Sequence, residues 1–279
     1  MRLLVAGGSG YLGQRIVRQA RAAGHDVSAT FHASPPAGPE DVAWHQLDIR
    51  RRDDVITLAG KIRPDAIINA AYLQSDWETT ADGGTHVALA AAGTGARLVH
   101  VSSDAVFSGH APRYQEDARP DPLFPYGAAK AAAETAVRGI APGAAIARTS
   151  LIAGDGDSKH ETLVHDLVTG AKAGVLFTDE IRCPVHVGDL AGALLELAAA
   201  PDAGIFHLAG PDAVSRLEIG ELVADRDGLN RAALPSGSRA ATGRPGPLDV
   251  RLDSTRTQAQ LATRLRGARE FLTRHDPDS

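Results

Sequence analysis

The sequence predicts an α/β fold: a doubly wound parallel sheet with a smaller C-terminal lobe. Three observations carry that expectation. Short β-like runs at residues 3–6, 26–31, 66–70, 97–101 and 144–148 alternate with Ala-rich segments of helical spacing at 12–23, 53–62, 85–92 and 126–137. The short runs read apolar on both faces, as strands do when helices cover a parallel sheet on both sides. A glycine-rich turn joins the first run to the first helical segment, and right-handed crossovers then wind the chain in both directions.

The alternation loosens after about residue 150. Residues 162–173 read as a helix, and Asp189 is placed to cap the next one, which opens Leu190-Ala191-Gly192-Ala193-Leu194-Leu195. Residues 205–208 read as a strand, and 216–224 and 266–274 as further helices. Gly, Pro and Ser crowd residues 235–247, which marks a loop, and the charged end at 274–279 is expected to fray. No internal repeat is present.

Composition narrows the function classes. The 279 residues are 43% hydrophobic and 23% charged with a net charge of −5, which leaves no electrostatic footprint for nucleic acid. One cysteine, Cys183, can form neither an intramolecular disulfide nor a structural zinc site, and next to Pro184 it reads as a packed thiol. His160 and His165 lack zinc spacing and read as surface residues, so no metal is expected. No run approaches a membrane span, and Gly7 and Gly8 cut the apolar start too short for a secretory signal. These features predict a cytoplasmic protein with no membrane partner.

The first turn reads Gly7-Gly8-Ser9-Gly10-Tyr11-Leu12-Gly13. Gly7 permits the tight turn, Gly10 lets backbone approach a pyrophosphate, and Gly13 lets the helix pack on the sheet. The helix N-terminus then presents unpaired N–H groups and its positive dipole end to phosphates. At this strand-to-helix junction the pattern predicts dinucleotide binding. An NAD site usually ends its second strand in an acid that repels a 2′-phosphate; here Ala29-Thr30-Phe31-His32 has none. The expectation is therefore NADP(H) over NAD(H), with His32 and Arg50 or Arg51 beside the 2′-phosphate and Asp48 accepting from the adenine amino group.

Tyr126-Gly127-Ala128-Ala129-Lys130 puts a phenol and an amine at i and i+4, neighbours on one helix face. With four Tyr and four Lys in the chain, chance supplies roughly 0.06 such pairs. A nearby ammonium is expected to lower the phenol pKa, suiting Tyr126 to exchange a proton with a carbonyl oxygen. Upstream, the run 97–101 ends in Ser102-Ser103-Asp104, at the strand end where such folds bind ligands, and Ser103 is placed to hold the same oxygen.

In these residues the chain resembles the extended short-chain dehydrogenase/reductase superfamily, and within it the dTDP-4-dehydrorhamnose reductase family. Gly-x-x-Gly-x-x-Gly, Asn69-Ala70-Ala71, Ser102-Ser103-Asp104-x-Val106-Phe107 and Tyr-x-x-x-Lys occur in order, and Arg148-Thr149-Ser150, Val187-Gly188-Asp189-Leu190-Ala191, Arg244-Pro245 and Leu252-Asp253 extend the likeness along the chain. The resemblance implies a Rossmann cofactor domain over residues 1–150 and a substrate lobe over 151–279, with segments near 185–208 returning to the first domain. It implies an NAD(P)H-dependent reductase of a keto group on a small molecule such as a nucleotide sugar. Ser103 would polarise the keto oxygen, Tyr126 would be the general acid, and Lys130 would hold the nicotinamide ribose. Gly7, Gly10, Tyr11, Leu12, Gly13, His32, Asp48, Ile49, Ala70, Ala71 and Tyr72 would join Tyr126 and Lys130 around the cofactor. Ser103, Asp104, Arg182 and Arg244 would face the substrate, the arginines toward a pyrophosphate.

The chain departs from that family at Thr80, which stands where an Asn is usual, and at Ala105, which replaces a Tyr; residues 73–82 also diverge. Ala105 after Asp104 argues against a dehydratase, which needs an Asp-Glu pair. The absent acid near His32 argues against an epimerase with resident NAD. A non-catalytic cofactor-binding subunit, like the methionine adenosyltransferase β subunit, stays open as the alternative, as does a homodimer.

Overall fold

Successive residues of β1 (Arg2–Ala6) divide between two apolar clusters: Leu3 and Val5 enter one, Leu4 and Ala6 the other. The computed structural model describes residues 1–36, 42–111, 113–243 and 245–273. The other main strands are β2 (Asp26–Phe31), β3 (Ala43–Gln46), β4 (Ala66–Asn69), β5 (Arg97–Ser103), β6 (Ala145–Thr149) and an edge strand at Gly204–Leu208. In β4, Ala66 and Ile68 face one cluster and Ile67 the other; in β5, Val99 and Val101 oppose Leu98. This two-residue period is the pleat of a sheet buried on both faces.

The seven strands pair entirely in parallel, in the order Gly204–Leu208, β6, β5, β4, β1, β2, β3. The winding direction reverses between β1 and β4, so the crevice outside their carboxyl ends is the expected ligand position. The helices are α1 (Tyr11–Ala22), α2 (Arg52–Ile62), α3 (Gly83–Thr94), α4 (Pro125–Ile140), α5 (Lys159–Thr169), α6 (Val187–Ala199) and α7 (Arg216–Asp227). Residues of α1 and α6 cover one face; α2, α3 and α4 cover the other. Fully buried anchors such as Ile16 and Leu190 each contribute about 1.5–3 kcal/mol. A third cluster joins Val164 and Leu167 of α5, Ile219 and Val223 of α7, and Phe271 and Leu272.

Four local expectations change. The strand β3 was not anticipated: it pairs only with β2, and its Trp44, His45 and Gln46 make no continuous apolar run. Helix α5 begins at Lys159, under a capping box of Ser158 and Glu161, and stops at Gly170 with φ +72° rather than at 173. Helix α6 is capped by His186, whose side chain accepts from the Gly188 N–H, and not by Asp189. The strand pairing of Val185–His186 with Ile152–Ala153 starts the helix earlier, and Asp189 binds the Arg266 guanidinium instead at 2.8 Å. Among the described residues, the last helix covers only Ala268–Phe271 of the expected segment, whose end at 274 lies outside them.

Candidate active site

The glycine turn leaves β1 at the switch point. Gly7 has φ +77°, and a Cβ on Gly13 would lie 2.1 Å from the Gly7 carbonyl oxygen, so α1 can sit this close only on glycine. Thr30, at the end of β2, accepts from the Gly7 N–H at 3.0 Å and ties the turn to the neighbouring strand. Helix α1 has no side-chain cap and no acid in its first turn. Its leading N–H groups, on Tyr11, Leu12 and Gly13, precede the first possible intrahelical acceptor and suit a pyrophosphate. Across the crevice, Asn69 (1% exposed) accepts from the Ala71 N–H through Oδ1 and contacts His100 Nδ1 through its amide at 3.2 Å. This fixes the Ala70-Ala71 bend against Gly7, where a Cβ would lie 2.7 Å from Ala71 Cα.

On the adenosine side, His32, Asp48 and Arg50 do come together. Arg50 donates to both Asp48 oxygens, its Nη2 at 2.6 Å, and His32 Nε2 lies 3.6 Å from the same carboxylate. Hydrogen bonding by Arg50 holds the Asp48 pKa down to about 2, so Asp48 is ionised and neutralised by its neighbour. Arg51 turns away onto Asp54 at 2.7 Å. Ile49, buried beneath them, packs on Gly83, with His86 Nδ1 bonding the Ile49 carbonyl at 2.9 Å.

Ser103, Tyr126 and Lys130 meet on the other side of the switch point. Ser103 ends β5, caps the tight turn Asp104–Val106 by accepting from the Ala105 N–H, and donates its hydroxyl to Asp104 Oδ1 at 3.2 Å. Helix α4 brings Tyr126 there because Gly127 lets its first turn press on the Ala105 carbonyl; a Cβ at 127 would lie 2.0 Å from that oxygen. Lys130, 3% exposed, donates to the Val101 carbonyl at 2.9 Å and lies 5.1 Å from the centre of the Tyr72 ring. The Tyr72 and Tyr126 rings are 5.9 Å apart, and Tyr72 is 45% exposed, forming an aromatic wall at the mouth.

The electrostatics reverse one expectation. Burial, reinforced by Tyr72, raises the Tyr126 pKa above its ordinary value; Ser103 lowers it, and Lys130 is not among the groups acting on it. Burial also takes Lys130 down to about 8, against the pull of Glu134. The reason is common to both: each charged form loses water that the crevice does not replace. His100, behind Lys130, falls to about 3 through burial and the Lys130 charge, and stays neutral.

Sequence reasoning missed Glu134. It is fully buried, accepts from Ser102 Oγ at 2.6 Å, and takes Arg148 Nε at 2.9 Å and Nη2 at 2.8 Å. Arg148, opposite Ser102 in the β5–β6 register, is 1% exposed and lies over the Phe107 ring at 4.9 Å. Its Nη1 donates to the Glu116 and Ala118 carbonyls at 3.4 and 3.2 Å, gripping the segment that leads into α4. The available signal was spacing: Glu134 repeats the i+4 interval of Tyr126 and Lys130.

On the substrate side, Asp104 accepts from Ser150 Oγ at 2.7 Å and lies 3.7 Å from Arg182 Nε. Arg182 itself is 7% exposed, and its terminal nitrogens donate to the Ile181, Leu248 and Pro247 carbonyls at 2.7, 3.0 and 2.9 Å. It thus braces the 247–248 segment against Asp104 instead of presenting an open fork to a phosphate. Arg244 lies outside the described residues. Thr80, the departure from the expected Asn, closes the 73–80 segment: its Oγ1 donates to the Leu73 carbonyl at 2.8 Å and accepts from the Leu73 N–H at 3.3 Å. Cys183 is buried, with its pKa pushed up to about 11 by burial, and is inert as a nucleophile. His160 is partly buried, not a surface residue, and accepts from Arg216 Nη1. A cavity of about 800 Å³ opens elsewhere, against Cys183, Ala209 and Leu252, and contains none of Ser103, Tyr126 or Lys130. Among the described residues no helix is long and apolar enough to cross a membrane.

Comparison with known proteins shows the family and the fold. The family described as RmlD substrate binding domain matches residues 1–275. A probable low-salt glycan biosynthesis reductase, Agl14, of Haloferax volcanii is 32% identical over 94% of this chain and 92% of its own. The dTDP-4-dehydrorhamnose reductase of Mycobacterium tuberculosis is 33% identical over 88% of this chain and 82% of its own. The methionine adenosyltransferase 2 subunit beta of Xenopus laevis is 33% identical over 73% and 64%. Among solved structures, dTDP-4-dehydrorhamnose reductase from Bacillus anthracis in complex with NADP superposes with a TM-score of 0.83 at 22% identity, covering 97% and 96% of the two chains. MoeE5 in complex with UDP-glucose and NAD superposes with a TM-score of 0.84 at 23% identity over 98% and 96%. These two show a shared fold.

Proposed function

The chain belongs to the RmlD substrate-binding domain family and is an NAD(P)-dependent reductase, and we propose that it reduces the keto group of a nucleotide-linked sugar with Tyr126 as proton donor and NADP(H) as the preferred cofactor. The observation that carries this reading is the convergence of Ser103, at the carboxyl end of β5, with Tyr126 and Lys130, one helical turn apart on α4, where Lys130 is held by the β5 carbonyl of Val101. Gly7, Gly10, Tyr11, Leu12 and Gly13 would hold the pyrophosphate on the N-terminus of α1. His32, Asp48 and Ile49 would hold the adenosine, and Ala70, Ala71, Tyr72 and Lys130 the nicotinamide end. When bound there, the reduced nicotinamide supplies a hydride for the carbonyl carbon.

Ser103 aligns the carbonyl oxygen, and Tyr126 hands its phenolic proton to that oxygen as the negative charge develops, completing the alcohol. Because burial raises the Tyr126 pKa, the phenol is fully protonated at neutral pH and ready to donate. Lys130, fixed by the Val101 carbonyl and lying 5.1 Å from the centre of the Tyr72 ring, would bind the nicotinamide ribose through its ammonium. Asp104, held by Ser150 and faced by Arg182, sets the substrate side of the turn. The NADP(H) preference is supported by Arg50, whose guanidinium neutralises the Asp48 carboxylate at the adenosine edge. The C-terminal lobe around α5 and α7 would supply the remaining substrate contacts.

Steady-state turnover on a panel of nucleotide-linked keto sugars tests the reading, with Tyr126→Phe as the variant. Turnover should fall by about 10²–10⁴-fold while NADPH affinity stays within about twofold. A wild-type chain that binds NADPH yet reduces no member of the panel would move the assignment to a regulatory subunit, the role its similarity to methionine adenosyltransferase 2 subunit beta raises.

A further inference from the structure

The two segments that carry the reacting groups, β5 and α4, converge on one carboxylate that is not itself one of those groups. Glu134 is fully buried on α4, one turn beyond Lys130. Through Ser102 it holds the end of β5, where the preceding residue offers the carbonyl that grips Lys130 and the following residue is Ser103. Through Arg148 it holds β6 and the Glu116 and Ala118 carbonyls on the approach to Tyr126. Replacing a buried ion pair by apolar groups of similar volume is often neutral or stabilising, so stability alone is a weak reason for this one.

We propose that Glu134 is the positioning residue of the catalytic set: by Ser102 it fixes the strand end that carries Ser103 and the carbonyl gripping Lys130, and from one helical turn along α4 its carboxylate favours the ammonium form of Lys130. The proposal rests on the reading of Ser103, Tyr126 and Lys130 given above. The groups that face Lys130 leave no other candidate among the described residues. From β5 comes His100, neutral and shielded; from the segment after β4 comes the Tyr72 ring; from α4 come Tyr126, protonated, and Glu134. Arg148, beyond Glu134, is a cation and works in the opposite sense. Burial drives Lys130 toward the neutral amine, and Glu134 is the group that opposes it.

The test measures NADPH affinity against pH by cofactor fluorescence, a readout that needs no sugar substrate. Wild-type affinity should decline above about pH 8, and Lys130→Met should remove that limb. In Glu134→Gln the limb should move down by about one pH unit, so that affinity at pH 8 drops about tenfold while at pH 6 it stays within about threefold of wild type. Ser102→Ala keeps the carboxylate and should leave the limb in place while lowering kcat at every pH. If Glu134→Gln does not fold because Arg148 is left unpaired, Glu134→Gln/Arg148→Gln removes both charges and should still show the downward displacement.

A wild-type limb that stays at the same pH in the folded Glu134 variants overturns the proposal and leaves the catalytic reading intact. A wild-type chain with no limb, or one that Lys130→Met does not alter, instead overturns the assignment of Lys130 to the cofactor.

Discussion

Lys130 donates its ammonium to the carbonyl of Val101 at 2.9 Å, and not to the phenol of Tyr126 one turn before it. The two side chains share a helix face, yet burial raises the Tyr126 pKa and depresses that of Lys130 to about 8. The group that titrates near neutrality is therefore the lysine.

The pH profile follows from those directions. The proposed mechanism needs Tyr126 as phenol and Lys130 as ammonium. The first condition holds throughout the neutral range, because its pKa lies above the ordinary phenol value. The second is met below about 8 and lost above it. In the reducing direction kcat/KM should fall about tenfold per pH unit on the alkaline side of that value. An alkaline limb appearing only above pH 10 would assign the titration to Tyr126 instead.

Gly127→Ala should separate the two halves of the site. Its Cβ would lie 2.0 Å from the Ala105 carbonyl oxygen and 3.0 Å from Pro122 Cβ, so the Ser103 turn and Tyr126 must part. Turnover should drop by about 10²-fold or more from the misalignment, with a lowered Tm. Gly139→Ala, on the same helix with nothing within 4 Å, serves as the control and should be neutral or stabilise by up to about 1 kcal/mol. Comparable kinetic losses in both variants would remove the close approach as the cause.

Thr80 replaces the expected Asn but still supports the rim. Thr80→Val removes the side-chain partner of the Leu73 N–H and carbonyl and should cost about 0.5–1.5 kcal/mol in chemical denaturation. Thr80→Ser should retain most of that stability. Because residues 73–80 lead out from Tyr72, the Val variant should raise KM more than it lowers kcat.

Cofactor choice should turn on Arg50. Arg50→Ala exposes the Asp48 carboxylate that the guanidinium now neutralises, and an unpaired acid repels a 2′-phosphate. Calorimetric titration should show NADPH weakened by about tenfold and NADH by less than about threefold. Equal losses for both cofactors would mean that Arg50 supports the fold of the segment and not the preference.

Much of this was legible in the chain. The sheet could be read because a strand buried on both faces writes its environment into consecutive residues, as Leu3 to Ala6 do. The glycine turn and the Tyr126–Lys130 pair could be read because both are local spacings on one helix or turn. The edge strand β3 escaped because half of its surroundings are water, and the bracing contacts of Arg182 escaped because a guanidinium looks the same in sequence whether it meets phosphate or the Pro247 carbonyl.

What the sequence by itself determined is therefore the order of the elements and the spacing of the Tyr126–Lys130 pair and the glycine turn, since hydrophobic period and helical spacing act over a few neighbouring residues. Only the tertiary structure decided the charge of Lys130, the protonation of Tyr126 and the role of Glu134. Those depend on how much water remote segments exclude, and on the meeting of Ser102, Glu134 and Arg148 from two strands and a helix.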